Sequence, residues 1–206
     1  MQAYITTTGL VGEKHGTIFR DVSLRKADGT IVVGTDSDGA QSMDSIARED
    51  QLDLKHPIRE IIVNRRQVVD GLTITYQLTD NRALTKTHGY KPTDQKNAHP
   101  VPLGSTERIV GVFGSNGYHA EYGRNIFLSI GFVIYDSAKR EGNTRVVDPF
   151  SSHVNPMSGA DEMINADTVT RFYASDVVAF GGFHTVGSSQ DAGLDGLFFY
   201  KNISAQ

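Results

Sequence analysis

The sequence predicts an all-β protein built from three antiparallel sheets that share one core. Three observations lead there. Glycine is abundant, at 21 residues, among many Val, Ile, Thr, Phe and Tyr, which suits short strands and tight turns. Helical periodicity is nearly missing: the best stretch, Ser42 to Leu52, has a thin apolar stripe of Met43, Ile46, Ala47 and Leu52 in a charged setting. Finally, a strand–corner–strand plan recurs three times, each returning strand reading apolar-x-apolar at Leu72/Ile74, Ile130/Phe132 and Leu197/Phe199. Corresponding positions lie about 60 residues apart, too far for a solenoid repeat but right for a four-stranded sheet. Three such sheets bury one face each and leave few open edges.

The elements follow in order. Thr17–Leu24 reads as a strand and Thr30–Val33 as its partner, with Ala27-Asp28-Gly29 as the hairpin turn. Residues 34–57, rich in Asp and Ser, read as a surface insertion. Ile58–Asn64 alternates as a strand, Arg65-Arg66-Gln67 turns, and Val68–Leu78 follows with Leu72, Ile74 and Tyr76 on one face. Residues 79–105 form a long polar stretch around His88-Gly89-Tyr90. The second unit starts at Ile109–Phe113, turns through Gly114–His119 and returns as Phe127–Tyr135. Residues 136–170 are polar, with turn signals at Asp148-Pro149-Phe150 and Asn155-Pro156. The third unit is a strand at Val177–Phe183, a loop from His184 to Leu194, and a strand from Asp195 to Tyr200.

Composition excludes several function classes. The 206 residues fit one domain, 1–206, with its core at 12–33 and 58–203. Net charge is −4 and the most basic run is only Lys139-Arg140, so there is no electrostatic case for nucleic acid or an anionic membrane. Cysteine is absent, which removes disulfides and thiolate metal sites. Met1 to Gly12 has no secretory pattern and no apolar run reaches membrane-spanning length. The expectation is a cytoplasmic protein, or one secreted without a classical signal. The seven histidines show no metal-ligand spacing. Asp36-Ser37-Asp38-Gly39 lacks the downstream glutamate of a calcium loop. Gly187-Ser188-Ser189 is not a nucleophile elbow. No cofactor and no catalysis are expected.

The third corner carries the chemistry. Small residues let a polar ligand approach backbone N–H groups, and a carboxylate offers charged acceptors to hydroxyls. Donors and an acceptor on one short loop suit a neutral polyol such as a sugar.

The chain resembles the jacalin-related lectins in Ile58–Val63, Val68–Tyr76, Glu107–Gly114 and Val178–Tyr200, and more faintly in Gly12, Gly16, Phe19 and Asp21. That resemblance implies a β-prism of three four-stranded Greek-key sheets with pseudo-threefold symmetry. It also implies a non-catalytic lectin for glycans or glycoproteins. The family's loop ends in Gly-x-x-x-Asp before the last strand. Register against Leu197, Phe199 and Tyr200 makes Asp195 that aspartate, and Asp191 then stands where the family has glycine. The frame Gly187–Asp191 satisfies the motif literally and stays open as an alternative. The implied site is Asp195, Leu194, Gly193, Ala192 and Asp191, with Tyr118 leaning on the sugar and Gly16 as the first-loop glycine. Asp195 would accept from two adjacent hydroxyls while Ala192, Gly193 and Leu194 donate through N–H. As an exposed carboxylate, it should be removable at little cost in stability.

Asp70 holds the matching place in the first unit but lacks a Gly-rich loop, and reads as structural. In the family, galactose preference goes with a free glycine ammonium; Gly16 is internal and has none, so mannose or glucose is expected. One shallow site should bind near the millimolar end, so avidity and a homo-oligomer are expected. The rival is a structural or toxin-associated protein-interaction domain without a live sugar site, which Asp191 favours.

Overall fold

Each strand segment has one apolar face that must be covered, and three sheets covering one another satisfy all of them. The computed structural model describes residues 5–24, 30–34, 50–66, 68–90, 95–148, 164, 166–185 and 193–202. In chain order the strands are β1 (Ile5–Thr7), β2 (Val11–Gly12), β3 (Thr17–Arg20), β4 (Val22–Leu24), β5 (Ile31–Val33), β6 (Ile58–Arg65), β7 (Val69–Gln77), β8 (Ala83–Gly89), β9 (Ala98–Pro102), β10 (Glu107–His119), β11 (Arg124–Asp136), β12 (Thr144–Val147), β13 (Thr170–Ser175), β14 (Val177–Thr185) and β15 (Gly193–Asn202).

The sheets repeat one plan. The first runs β8-β7-β6-β9 and the second β12-β11-β10-β13. In each, a central hairpin is flanked by the next strand on its returning arm and by a later strand on its outgoing arm. The third runs β1-β15-β14-β3, with β2 also on β15. Here both flanking positions are filled from the N-terminal segment, so the start of the chain completes the last Greek key. Every pairing is antiparallel. This is the β-prism plan, with β4 and β5 as an additional hairpin.

The core lies where the three inner faces meet. Leu72, Ile74 and Tyr76 come from the first sheet, Ile130, Phe132 and Ile134 from the second, and Phe180, Leu197 and Phe199 from the third. Thr73 and Thr75 face the other way and bond across the strand pair to Thr87 and Thr85, each at 3.1 Å.

Several expectations need correction. The stretch 79–105 holds β8 and β9, and 136–170 holds β12 and the start of β13. Edge strands bury one side only and tolerate proline, as β9 does at Pro100 and Pro102, so they read as polar loop. Gly114–His119 is not a corner: β10 continues to His119, pairing with Arg124. The third sheet begins at Ile5 rather than residue 12, because β1 pairs with β15. Of the expected insertion 34–57, residues 35–49 lie outside the described residues, as do most of the Ser42–Leu52 helix candidate and the turn 27–29. Leu52, at its far end, is 2 % exposed and joins the core.

Candidate functional site

The site is built at one end of the prism by backbone that comes unusually close. Asp195 C=O accepts from Glu13 N–H at 2.8 Å. Gly12 pairs with Gly196 there and has φ +86°; a Cβ on it would lie 2.3 Å from the Asp195 oxygen. Only glycine fits both the φ and the approach. Gly16, at φ +77°, meets His184 O in the same way. The segment 12–16 therefore lies flat on the ends of β14 and β15 and presents His15 to Thr185.

Around Asp195 the polar groups converge. Its Oδ2 accepts from Thr185 Oγ1 at 2.7 Å. That uses the only hydroxyl proton, so His15 Nδ1, 3.2 Å from Thr185 Oγ1, is the donor to it. His15 Nδ1 also lies 3.7 Å from Oδ2. Arg124, the first residue of β11, places Nε 2.8 Å from Oδ1. This is a close charge contact without hydrogen-bond alignment, and among the described residues Oδ1 accepts no hydrogen bond. Burial pushes the Asp195 carboxyl above the ordinary value, against the pull of Thr185, Arg124 and His15. Beside it, Asn125 donates to Glu13 Oε1, tying the β10–β11 hairpin to the Gly-rich segment.

The first unit repeats this corner. Asp70 C=O accepts from Tyr90 N–H at 2.9 Å, and Gly89, at φ +72°, comes as close to Asp70 O as Gly12 does to Asp195 O. Asp70 is also fully buried and paired with an arginine. Its partner is local: Arg66 donates from its backbone N–H at 2.7 Å, from Nε at 3.2 Å and from Nη2 at 3.0 Å. That matches the structural role expected for Asp70.

The sequence-assigned residues separate as follows. Asp195 and Gly16 do come together, joined through Thr185. Asp195 is 0 % exposed, however, not the exposed carboxylate expected, because His15, Thr185 and Arg124 converge on it. Gly193 and Leu194 begin β15 instead of lying on a loop, and Leu194 is in the core. Asp191, Ala192 and the Gly187–Asp191 frame lie outside the described residues. Tyr118 is half-exposed on β10, and its N–H donates to Thr168 Oγ1 at 2.8 Å; it is not one of the groups touching Asp195. The aromatic near Arg124 is Tyr122, its ring centroid 6.0 Å from the guanidinium carbon. Arg124, Thr185 and Glu13 were missed by sequence reasoning. Arg124 follows Gly123 at a hairpin turn, and no local signal shows that this hairpin outreaches the others. His15 had one faint cue, its place beside Gly16.

Among the described residues no group of three His, Cys, Asp or Glu side chains is placed to hold a metal. None of their helices is long and apolar enough to cross a membrane. No family model and no curated protein sequence matches the chain. Solved structures do. A mannose-binding jacalin-related lectin from Ananas comosus is 15 % identical, with 95 % of this chain and 96 % of that one covered and a TM-score of 0.52. A mannose-specific jacalin-related lectin from Morus nigra is 17 % identical, covering 96 % and 94 % at a TM-score of 0.56. Frutapin, a lectin from Artocarpus incisa, is 16 % identical, covering 98 % and 100 % at a TM-score of 0.59. The chain has the jacalin-related lectin fold, a β-prism, over nearly its whole length.

Proposed function

We propose that this chain is a non-catalytic carbohydrate-binding protein whose site is the corner formed by segment 12–16, Thr185 and Asp195. The observation that carries this reading is a buried carboxylate, backed by glycine-lined backbone, with one oxygen that accepts no hydrogen bond among the described residues. A hydroxyl donor satisfies such an oxygen without bringing in charge. The backbone N–H groups at 192–194, and Tyr118 at the hairpin, remain the further contacts that the resemblance assigns.

Mannose or glucose is the proposed sugar class. Gly16 is bonded through its nitrogen to His15, so it offers no ammonium to an axial hydroxyl. Two of the solved structures sharing the fold are described as mannose-binding and mannose-specific, which supports the same choice. Weak single-site binding would make a homo-oligomer useful through avidity.

A second reading is favoured by one observation. Arg124 already neutralises Asp195, as Arg66 does Asp70, which suits a structural joint in a protein-interaction domain. A glycan array on the purified chain separates the two. Mannose- or glucose-terminated glycans should bind, and methyl α-mannoside, not methyl α-galactoside, should compete. Inhibition by the galactoside alone overturns the sugar class. A folded protein that binds no glycan leaves the structural reading.

A further inference from the structure

The two aspartate corners share their backbone but differ in how the carboxylate is closed. At Asp70 the closure is local: the turn residue Arg66 gives both oxygens aligned hydrogen bonds. At Asp195 the cation comes from another sheet. Arg124 stands at the turn of the β10–β11 hairpin, and its Nε reaches Oδ1 at 2.8 Å without hydrogen-bond alignment. The carboxylate has no exposed surface while Arg124 retains 15 % of its own. Gly193 lies beneath the same side chain, a Cβ there being 3.5 Å from Nη2. A buried acceptor left without a hydrogen bond is costly, and an ion pair with poor geometry repays little of the cost of desolvating its charges. One corner is thus saturated by its own turn, and the other is covered by a side chain from a neighbouring hairpin.

We infer that Arg124 is an affinity-determining residue of the Asp195 corner, a side-chain gate that a sugar hydroxyl must displace to reach Oδ1. This rests on the proposed carbohydrate site. Binding moves the guanidinium off the carboxylate toward solvent, a hydroxyl donates to Oδ1, and Thr185 keeps Oδ2. The gate weakens binding of neutral hexoses, because each must compete with an intrachain cation for the same oxygen. The Asp70 corner has no such opening and takes no ligand.

The test is titration of the full chain with methyl α-mannoside, followed by amide NMR shifts, for the wild type, Arg124→Gln, Arg124→Ala and Arg66→Gln. Arg124→Gln keeps most of the side-chain bulk and guards against misfolding of the alanine variant. Both Arg124 substitutions should tighten binding about tenfold, the worth of one modest interaction at 1.4 kcal/mol per decade. Arg66→Gln should leave the dissociation constant unchanged. Wild type that binds the mannoside as well as or better than the folded Arg124 variants overturns the gate and leaves the sugar site standing. Tightening by Arg66→Gln instead overturns the choice of corner. No binding by wild type or by either folded Arg124 variant overturns both the gate and the site.

Discussion

Asp195 and Glu107 are both carboxylates facing an arginine, yet hydrogen bonding lowers the pKa of Glu107 while burial raises that of Asp195. Arg145 donates to Glu107 through Nε and Nη2, each at 2.9 Å. With Gly104 N–H adding a bond, this holds the Glu107 carboxyl down to about 2. A carboxyl lowered by folding stabilises above its unfolded value and loses that contribution as pH falls through the folded one. Thermal melts from pH 5 to 2 should therefore show the wild type losing its advantage over Glu107→Gln; a constant difference would refute the pairing. Asp195 and Asp70 are raised, chiefly by burial. Their contribution has the other sign: it is full below the unfolded value and fades as pH rises through the raised folded one. Asp195→Asn should accordingly gain on the wild type as pH rises through that window, in melts at matched salt. Because the carboxylate is buried, Asp195→Ala should cost about 1–3 kcal/mol of stability, through the Thr185 hydroxyl that loses its acceptor. Urea unfolding measures this, and a change within error would restore an exposed carboxylate.

At the scale of the element, the β10–β11 hairpin and the segment 12–16 form the Asp195 corner by reaching across sheets. Gly123 turns the hairpin at φ +64° with open space where a Cβ would go, whereas Gly16, at φ +77°, has His184 O only 2.3 Å away. Replacing either by alanine incurs left-handed strain of roughly 1–2 kcal/mol. Gly16→Ala must also push the segment off β14. Gly16→Ala should therefore lower the melting temperature clearly more than Gly123→Ala and should weaken glycan binding. Equal shifts for the two would mean that segment 12–16 is not packed against β14.

Across the whole molecule, the sheets are joined by a buried polar network as well as by apolar packing. Tyr76 Oη donates to Asp21 Oδ2 at 2.6 Å and accepts from Phe180 N–H at 3.1 Å. Asp21 Oδ1 lies 2.7 Å from His88 Nε2, and the His88 ring stacks on Phe19 at 3.6 Å. The network links β7 and β8 of the first sheet to β14 and to the N-terminal strands. Burial, then the Asp21 charge, pushes the Tyr76 phenol well up, so it serves as a neutral donor. Tyr76→Phe keeps the ring but strands a buried carboxylate oxygen and a buried N–H. It should destabilise by roughly 1–3 kcal/mol, read by urea unfolding; a near-neutral result would show the network to be dispensable.

By itself the sequence determined the inner faces and the three-sheet plan of the prism. Leu72/Ile74, Ile130/Phe132 and Leu197/Phe199 alternate with a period of two, and all six side chains are in the core. Through its family resemblance it also grouped Asp195 with Gly16, and both lie against Thr185 in the structure. It could not show the edge strands β8, β9 and β12, whose half-exposed residues have no strong apolar alternation. Nor could it show that residues before Val11 complete the third sheet, because strand pairing across the length of the chain leaves no local mark. Only the tertiary structure decided the state of the carboxylate. Whether Asp195 faces water or a cation depends on how far the β10–β11 hairpin reaches, and that reach is set by pairing from His119 and Arg124 inward. Local pattern fixes which face of a strand is buried, but the partner of a buried charge is chosen by packing between sheets.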